Sequence, residues 1–374
     1  MTRKEFLRLS AILGLSVSGG SAVRSMGNNT ASKIASNDSN NVDVLIIGAG
    51  AAGMSSGYLL NQQGIDFQII EACDCIGGRM RVDEVFTDFP VCFGAEWFSE
   101  EGSDEDELEL IVNDPSVNVD VELFNDAPDR KFYRSSWFNF FEEYILPSIS
   151  DKITFYQTVS EINYTGSVVS VTTTTGTVFT ANKVIVTVPL AILKNGDITF
   201  IPSLPAGKQN SINNLQYWEG FRAYFKFSNK FYPNFEYVGP GGMNQQKAFY
   251  DAAFGHDSAD NVFGLFCVGE PVLEYNQLVG NELRDFILAE LDDRYNNQAT
   301  PAYIDHVFYK WDENPYARGA YIADTENGNN FNNLEDDLDG KVFFAGDSYT
   351  NGDNWGYVHV AAQRARAVVD EITA

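Results

Sequence analysis

Positive charge is what this chain lacks most. Its 374 residues carry 25 Lys and Arg against 52 Asp and Glu, a formal net charge of −27. Carboxylates repel phosphate, which argues against a nucleic acid or an anionic membrane surface as partner and suits a cationic small molecule. Four cysteines are too few for a disulfide scaffold at this length. Only three histidines are present, and Gly346-Asp-Ser-Tyr is not a G-x-S-x-G elbow, so a Ser-His-Asp hydrolase is disfavoured. The apolar stretch nearest the N-terminus is shorter and more polar than the ~20 residues that cross a bilayer, and no transmembrane segment is expected. No internal repeat or heptad pattern is visible. What is present is core-forming material: 44% apolar and 14% aromatic residues rule out wholesale disorder. The length suits two domains, or one large domain with an inserted region, at ~100–200 residues each.

The first nine residues, M-T-R-K-E-F-L-R-L, are basic and lead into a Ser/Gly-diluted apolar stretch from Leu9 to Val23. The T-R-K-x-F-L-R pattern resembles a twin-arginine export signal with Lys4 in the second arginine's place, and Gly20 and Ala22 offer a cleavage site. An ordinary secretory signal or a loose tail stays open. Residues 24–41 are Asn/Ser-rich and read as a linker, so 1–41 is set aside as export signal and linker. The expectation is an exported protein, periplasmic or extracellular.

Folded structure is expected to start at Val42–Ile47, a β-branched apolar run of the kind buried on both faces of a parallel sheet. It runs into Gly48-Ala-Gly50-Ala-Ala52-Gly53, a helical stretch to about Gln63, and a second strand, Ile65–Ile70, ending in Glu71-Ala72. Each part has a physical use. Gly48 permits the tight turn, Gly50 lets backbone approach a pyrophosphate, and Gly53 lets helix and strand pack closely. The helix N-terminus offers free N–H groups to the phosphates, and Glu71 accepts from ribose hydroxyls near the ~20-residue interval such units show.

A nicotinamide dehydrogenase needs little beyond that unit, whereas this chain continues with Gly77-Gly78-Arg79 and Gly94-Ala95-Glu96-Trp97. Near the C-terminus stand Val342–Ala345, then Gly346-Asp347, then Trp355-Gly356-Tyr357-Val358-His359 opening a last helix. Together these segments resemble the flavin-dependent amine oxidase family of monoamine and polyamine oxidases. The resemblance implies an α/β fold: a two-dinucleotide-binding, Rossmann-type FAD domain with a discontinuous α+β substrate domain. It divides the chain into FAD-binding parts at 42–100, 151–200 and 326–374, a shortened helical substrate region at 101–150, and a substrate domain at 201–325. It implies FAD held by the residues named above, with Gly78, Arg79, Gly346 and Asp347 near its phosphates and ribityl chain. Val358 heads the helix aimed at the flavin, and Val159 meets the adenine end through its backbone.

The same resemblance implies the chemistry of oxidising a small-molecule amine, with dioxygen reoxidising the flavin. Trp311-x-x-x-Pro315-x-x-x-Gly319-Ala320-Tyr321 matches the segment ending in one aromatic that flanks the amine, and Tyr357 matches the other. Ala320 stands where some relatives carry a flavin-tethering cysteine, so FAD is expected to be bound without a covalent bond. The family's substrate-domain lysine falls on Arg222, counted back from Lys230-Phe-Tyr-Pro233. Arginine keeps a donor and a charge but does not deprotonate. Tyr224 and Lys226 share its strand face, with Lys226 a substitute if the backbone is shifted, and pairing of Arg222 with a carboxylate is the plainer alternative. The acidic run from Ser99 to Leu110 reads as a solvated helix start in a thinned cover that leaves the cavity open to solvent. Cys73-x-Cys75 reads as loop, with a disulfide or metal pair the lesser alternative because no second pair lies near, and no metal site is expected. Two alternatives stay open: a desaturase or protoporphyrinogen-oxidase-like flavoenzyme, and a flavin-carrying protein of weakened activity.

Overall fold

The computed structural model describes residues 41–98, 111, 121–123, 130–132, 134–239, 246–323, 331–350 and 355–374. The expected export signal and nearly all of the linker lie outside the described residues, as does the acidic run at 99–110.

The first strand, β1 (Asn41–Ile47), passes through the glycine turn into α1 (Ala51–Gln62) and the chain returns as β2 (Phe67–Ile70), parallel to β1 with Ile47 opposite Ile70. The unbroken apolar character of β1 has a plain cause. Val44 and Ile46 pack on one face with Ala52, Met54 and Leu60 of α1, while Leu45 and Ile47 pack on the other with Ile70, Val184 and Val186. Each such buried side chain contributes about 2 kcal/mol of apolar transfer free energy. A short strand β3 (Ile153–Thr154) extends the sheet beyond β2. On the other side, the hairpin β4 (Val159–Asn163) and β5 (Val169–Thr173) runs antiparallel into β6 (Val178–Val186), which lies parallel to β1. Strand β7 (Thr199–Ile201) closes that edge against β4.

The sheet forks along β6. Its first half pairs with β5, Ala181 opposite Val169, whereas Val184–Val186 pairs parallel with the late strand Val342–Phe344. The fork is what brings the C-terminal segment into the sheet, on the side of β6 opposite β1. The carboxyl ends of β1, β6 and Val342–Phe344 therefore open on one side, the place where ligands bind in open α/β sheets.

A second sheet is antiparallel throughout. It contains β8 (Gly220–Phe227), β9 (Phe235–Tyr237), β10 (Gln246–Asp251), β11 (Asn261–Val268) and β12 (Tyr303–Lys310), in the order β9-β10-β11-β8-β12. Alternate side chains of β8 point to opposite faces. Phe221, Phe225 and Phe227 pack into one cluster with Leu283, Ile287 and Leu291 of α2 (Gly280–Arg294), and Tyr224 packs into another with Phe93 and Tyr250. The last helix, α3 (Val358–Thr373), lies on α1 through Val358, Ala361, Ala362, Ala365, Val368 and Val369, a spacing that keeps small residues on one stripe.

Within 101–150 the fold differs from the expected helical region. Val121–Leu123 and Arg130–Phe132 are strands that pair with each other and, through Arg130–Phe132, with Trp97–Phe98. Among the described residues, helical structure in this interval starts at Trp137, capped by Ser136 Oγ accepting from the Asn139 N–H at 3.1 Å. Three-residue strands carry almost no periodicity of their own, and only their partners make them strands.

Candidate active site

The glycine turn is built by contact rather than by composition. Gly48 has φ +108°, and a Cβ there would stand 2.6 Å from Thr187 Oγ1. A Cβ on Gly53 would lie 1.9 Å from the Gly48 carbonyl oxygen, so only glycine lets α1 start against its own turn. Gly50 instead faces open space. No side chain caps α1 and no acid lies in its first turn, which leaves its leading N–H groups to an anionic ligand.

Glu71 is fastened at the end of β2. Its Oε2 accepts from the Ala49 N–H at 2.6 Å and its Oε1 from the Cys73 N–H at 2.9 Å. Burial raises its pKa, and these backbone donors oppose the rise. Arg79 reaches across the chain, donating to the Ala320 carbonyl at 2.8 Å and, through both terminal nitrogens, to the carboxylate of Asp347. That fork ties the N-terminal third to the C-terminal strand.

These groups surround a cavity of about 1460 Å³. It exceeds the ~300–1,000 Å³ of ordinary small-molecule pockets and leaves room for a dinucleotide with a substrate beside it. Gly48, Gly50, Ala52, Glu71, Ala72, Gly78, Arg79 and Val159 line it, as do Gly94, Ala95, Glu96, Trp97, Arg222, Tyr321, Gly346, Asp347, Tyr357 and Val358. Of the residues expected to hold FAD only Gly53 does not; it packs beneath the turn.

The two tyrosines come from segments far apart in the chain. The Tyr321 ring passes within 3.7 Å of where a Cβ on Gly356 would stand, next to Tyr357. Trp218 backs it with ring centroids 6.1 Å apart. Tyr357 ends α3 at its N-terminal side and stacks on His359 at 5.3 Å.

Arg222 is buried and both its terminal nitrogens are engaged. It donates to Tyr250 Oη at 2.8 Å, to the Gly94 carbonyl at 2.9 Å and to Glu96 Oε2 at 3.3 Å, with the Phe266 ring 4.4 Å from its guanidinium carbon. Glu96 also accepts from Tyr250 Oη at 2.6 Å and stands 3.6 Å from Lys131 Nζ. The plainer alternative for Arg222, pairing with a carboxylate, is therefore what the fold adopts. Lys226 does not substitute for it: its ammonium pairs with Asp260 at 2.8 Å and is not among the cavity's lining residues. Tyr250 and Lys131 were not found from sequence. Neither sits in a motif; pairing with Trp97 brings Lys131 to Glu96, and packing of the second sheet against Trp97 brings Tyr250. Thr187, whose Oγ1 donates to the Ile47 carbonyl at 2.7 Å, had a weak signal as the residue that follows β6 beside the glycine turn.

Residues 142–373 match the family described as flavin containing amine oxidoreductase, and residues 46–113 match an NAD(P)-binding Rossmann-like domain. The chain belongs to the flavin containing amine oxidoreductase family. Among similar proteins is lysine-specific histone demethylase 1B of Mus musculus, 29% identical over 199 residues, covering 51% of this chain and 24% of that protein. Polyamine oxidase 4 of Oryza sativa subsp. japonica is 27% identical over 220 residues, covering 58% and 44%. The chain thus spans less than half the length of these relatives. A solved putrescine oxidase with redesigned cofactor binding superposes with TM-score 0.72 at 15% identity, over 89% of this chain and 99% of that one, a likeness of fold.

Membership in this family makes FAD the cofactor, and the residues fit it. The open space at Gly50, the uncapped start of α1, the carboxylate of Glu71 and the Arg79–Asp347 fork face one continuous cavity. Helix α3 likewise starts without a side-chain cap or an acid in its first turn, with Val358 at the cavity wall. Such an end stabilises negative charge on a ring held against it.

Proposed function

We propose that the protein is an FAD-dependent amine oxidase that converts a primary or secondary amine to an imine, which water then hydrolyses to an aldehyde, with release of hydrogen peroxide. When bound, FAD supplies the hydride acceptor and is returned to its oxidised form by dioxygen. The observation that supports this reading is that Tyr357 and Tyr321, whose ring lies against Gly356, both line the cavity that Gly50 and Glu71 also line. Their phenol rings bracket the amine, orient its nitrogen and exclude water. Trp218 and His359 limit how those rings turn. The reacting amine is neutral, while the chain's negative charge gathers its ammonium form from solution. Arg222 holds a fixed positive charge at the cavity wall and, unlike a lysine, takes no part in moving a proton. Export through the N-terminal segment belongs to the same reading.

A second reading rests on that arginine. With its donors engaged by Glu96, Tyr250 and Gly94, a flavin-carrying protein of slow turnover is the alternative. One experiment separates them. The purified yellow protein is mixed anaerobically with a panel of amines and its visible spectrum followed. Rapid bleaching supports the oxidase, a slow fraction of a turnover supports the second reading, and a colourless protein that takes up no FAD refutes both.

A further inference from the structure

Just beyond Glu71 the chain places three metal-ligating side chains in a row. The sulfurs of Cys73 and Cys75 and a carboxylate oxygen of Asp74 lie within 4.8 Å of one another. Cys73 Sγ already donates to Asp74 Oδ1 at 3.3 Å, so the three groups converge rather than fan apart. Both cysteines are free thiols, Cys73 half-buried and Cys75 exposed. From these positions we propose that Cys73, Asp74 and Cys75 form a binding site for one thiophilic divalent metal ion of the zinc type.

The geometry needs little adjustment. Zinc–sulfur bonds of ~2.3 Å on a tetrahedral ion put two thiolates ~3.8 Å apart, about 1 Å closer than the upper limit seen here. A rotation of the exposed Cys75 side chain supplies that shift. The backbone is held in place meanwhile. The Cys73 N–H donates to Glu71 Oε1 at 2.9 Å, the Tyr156 N–H donates to the Cys73 carbonyl at 3.2 Å, and the Gln157 N–H donates to the Glu71 carbonyl at 2.8 Å. On the far side the Gly77 N–H donates to the Ala49 carbonyl at 2.9 Å, and a loop held at both ends loses little entropy when the ion arrives. Two sulfurs select a soft ion over calcium or magnesium, which prefer all-oxygen shells. The fourth position is left to a water molecule at the rim of the cavity, which Cys73 and the exposed Cys75 line. As the ion binds, each thiol releases its proton to water, so affinity rises with pH. The net charge of −27 raises the local concentration of any dication. Cys-x-Cys at this place is therefore more than a loop. The site stands whether or not the cavity oxidises amines.

Cadmium is the probe, because thiolate-to-cadmium charge transfer gives an ultraviolet band that zinc lacks. The FAD-loaded protein, kept reduced with a phosphine, is titrated with Cd²⁺, and zinc affinity is then read by competition with a chromophoric chelator. The expected result is one ion per chain, with binding weakened at least about 100-fold by Cys75→Ser and about 10-fold by Asp74→Asn, the range over which loss of ligands and their supports acts. Cys75 is exposed, so its replacement leaves packing intact. A titration without the band overturns the proposal, as does a band that survives in the Cys73→Ser, Cys75→Ser double variant. In a parallel sample with zinc and without phosphine, formation of a Cys73–Cys75 disulfide in preference to zinc binding overturns it too.

Discussion

Lys208 offers the sharpest quantitative test of how this fold handles charge. It sits in the helix Ala206–Asn214 with 2% of its surface exposed, donates to the Leu334 carbonyl at 2.7 Å and lies 4.0 Å from the centre of the Phe344 ring. Burial pulls its pKa from 10.5 down to about 7; the carboxylate of Asp336 resists that fall and Arg364 adds to it. The sign follows directly. Between about pH 7 and 10.5 the unfolded chain keeps a proton that the folded chain has released, so stability rises with pH across that window. The drop amounts to about 5 kcal/mol in total, at up to 1.36 kcal/mol per pH unit. Lys208→Met keeps the volume, removes the titration and leaves the Leu334 carbonyl short of a donor, a loss of about 1 kcal/mol that does not vary with pH. Urea unfolding of both proteins at fixed FAD concentration, at pH 6.5 and 9.5, is the assay. Relative to the variant, the parent should gain about 3 kcal/mol over that interval. Parallel pH profiles for the two proteins would refute the reasoning.

Other outcomes follow from the same structure. Glu96→Gln leaves Arg222 and Lys131 buried beside a neutral amide, and urea unfolding should show a loss of about 3–5 kcal/mol, whereas a loss under about 1 kcal/mol would mean that solvent reaches the cluster. Gly53→Ala drives a methyl to within 1.9 Å of the Gly48 carbonyl oxygen, so the purified variant should come out without its visible flavin spectrum and about 3 kcal/mol or more less stable; a yellow variant of parental stability would contradict the close approach. Tyr321→Ala should keep the flavin spectrum while slowing anaerobic bleaching by amines about 10- to 100-fold, a loss of about 1.4–2.7 kcal/mol in barrier, and an unchanged rate would remove the ring from the site.

Local residue order made the dinucleotide unit legible. β1, its glycines, α1 and Glu71 follow one another within a single stretch, and each has a use that its neighbours state. The same holds for Tyr357, whose register is set by Trp355, Gly356 and the helix that follows. Legibility falls where residues act across strands. Arg222 could be placed on β8 by counting, yet its partners could not, because Gly94, Glu96 and Tyr250 reach it from two other segments. The strands at 121–132 were missed for a related reason. Three residues hold no repeat to read, and they are strands only because they pair with each other and Arg130–Phe132 pairs with Trp97–Phe98.

From residue order alone came a parallel sheet, a phosphate-binding turn at a helix start, a ribose-binding acid and a family resemblance, since strand burial, tight turns and helix starts are set by neighbours a few positions apart. Tertiary structure decided the fork in β6 that carries Asp347 to Arg79, the meeting of Tyr321 with the start of α3, and the ion pair that occupies Arg222. Those outcomes depend on the pairing register between strands distant in the chain, where a shift of one residue turns a side chain to the opposite face.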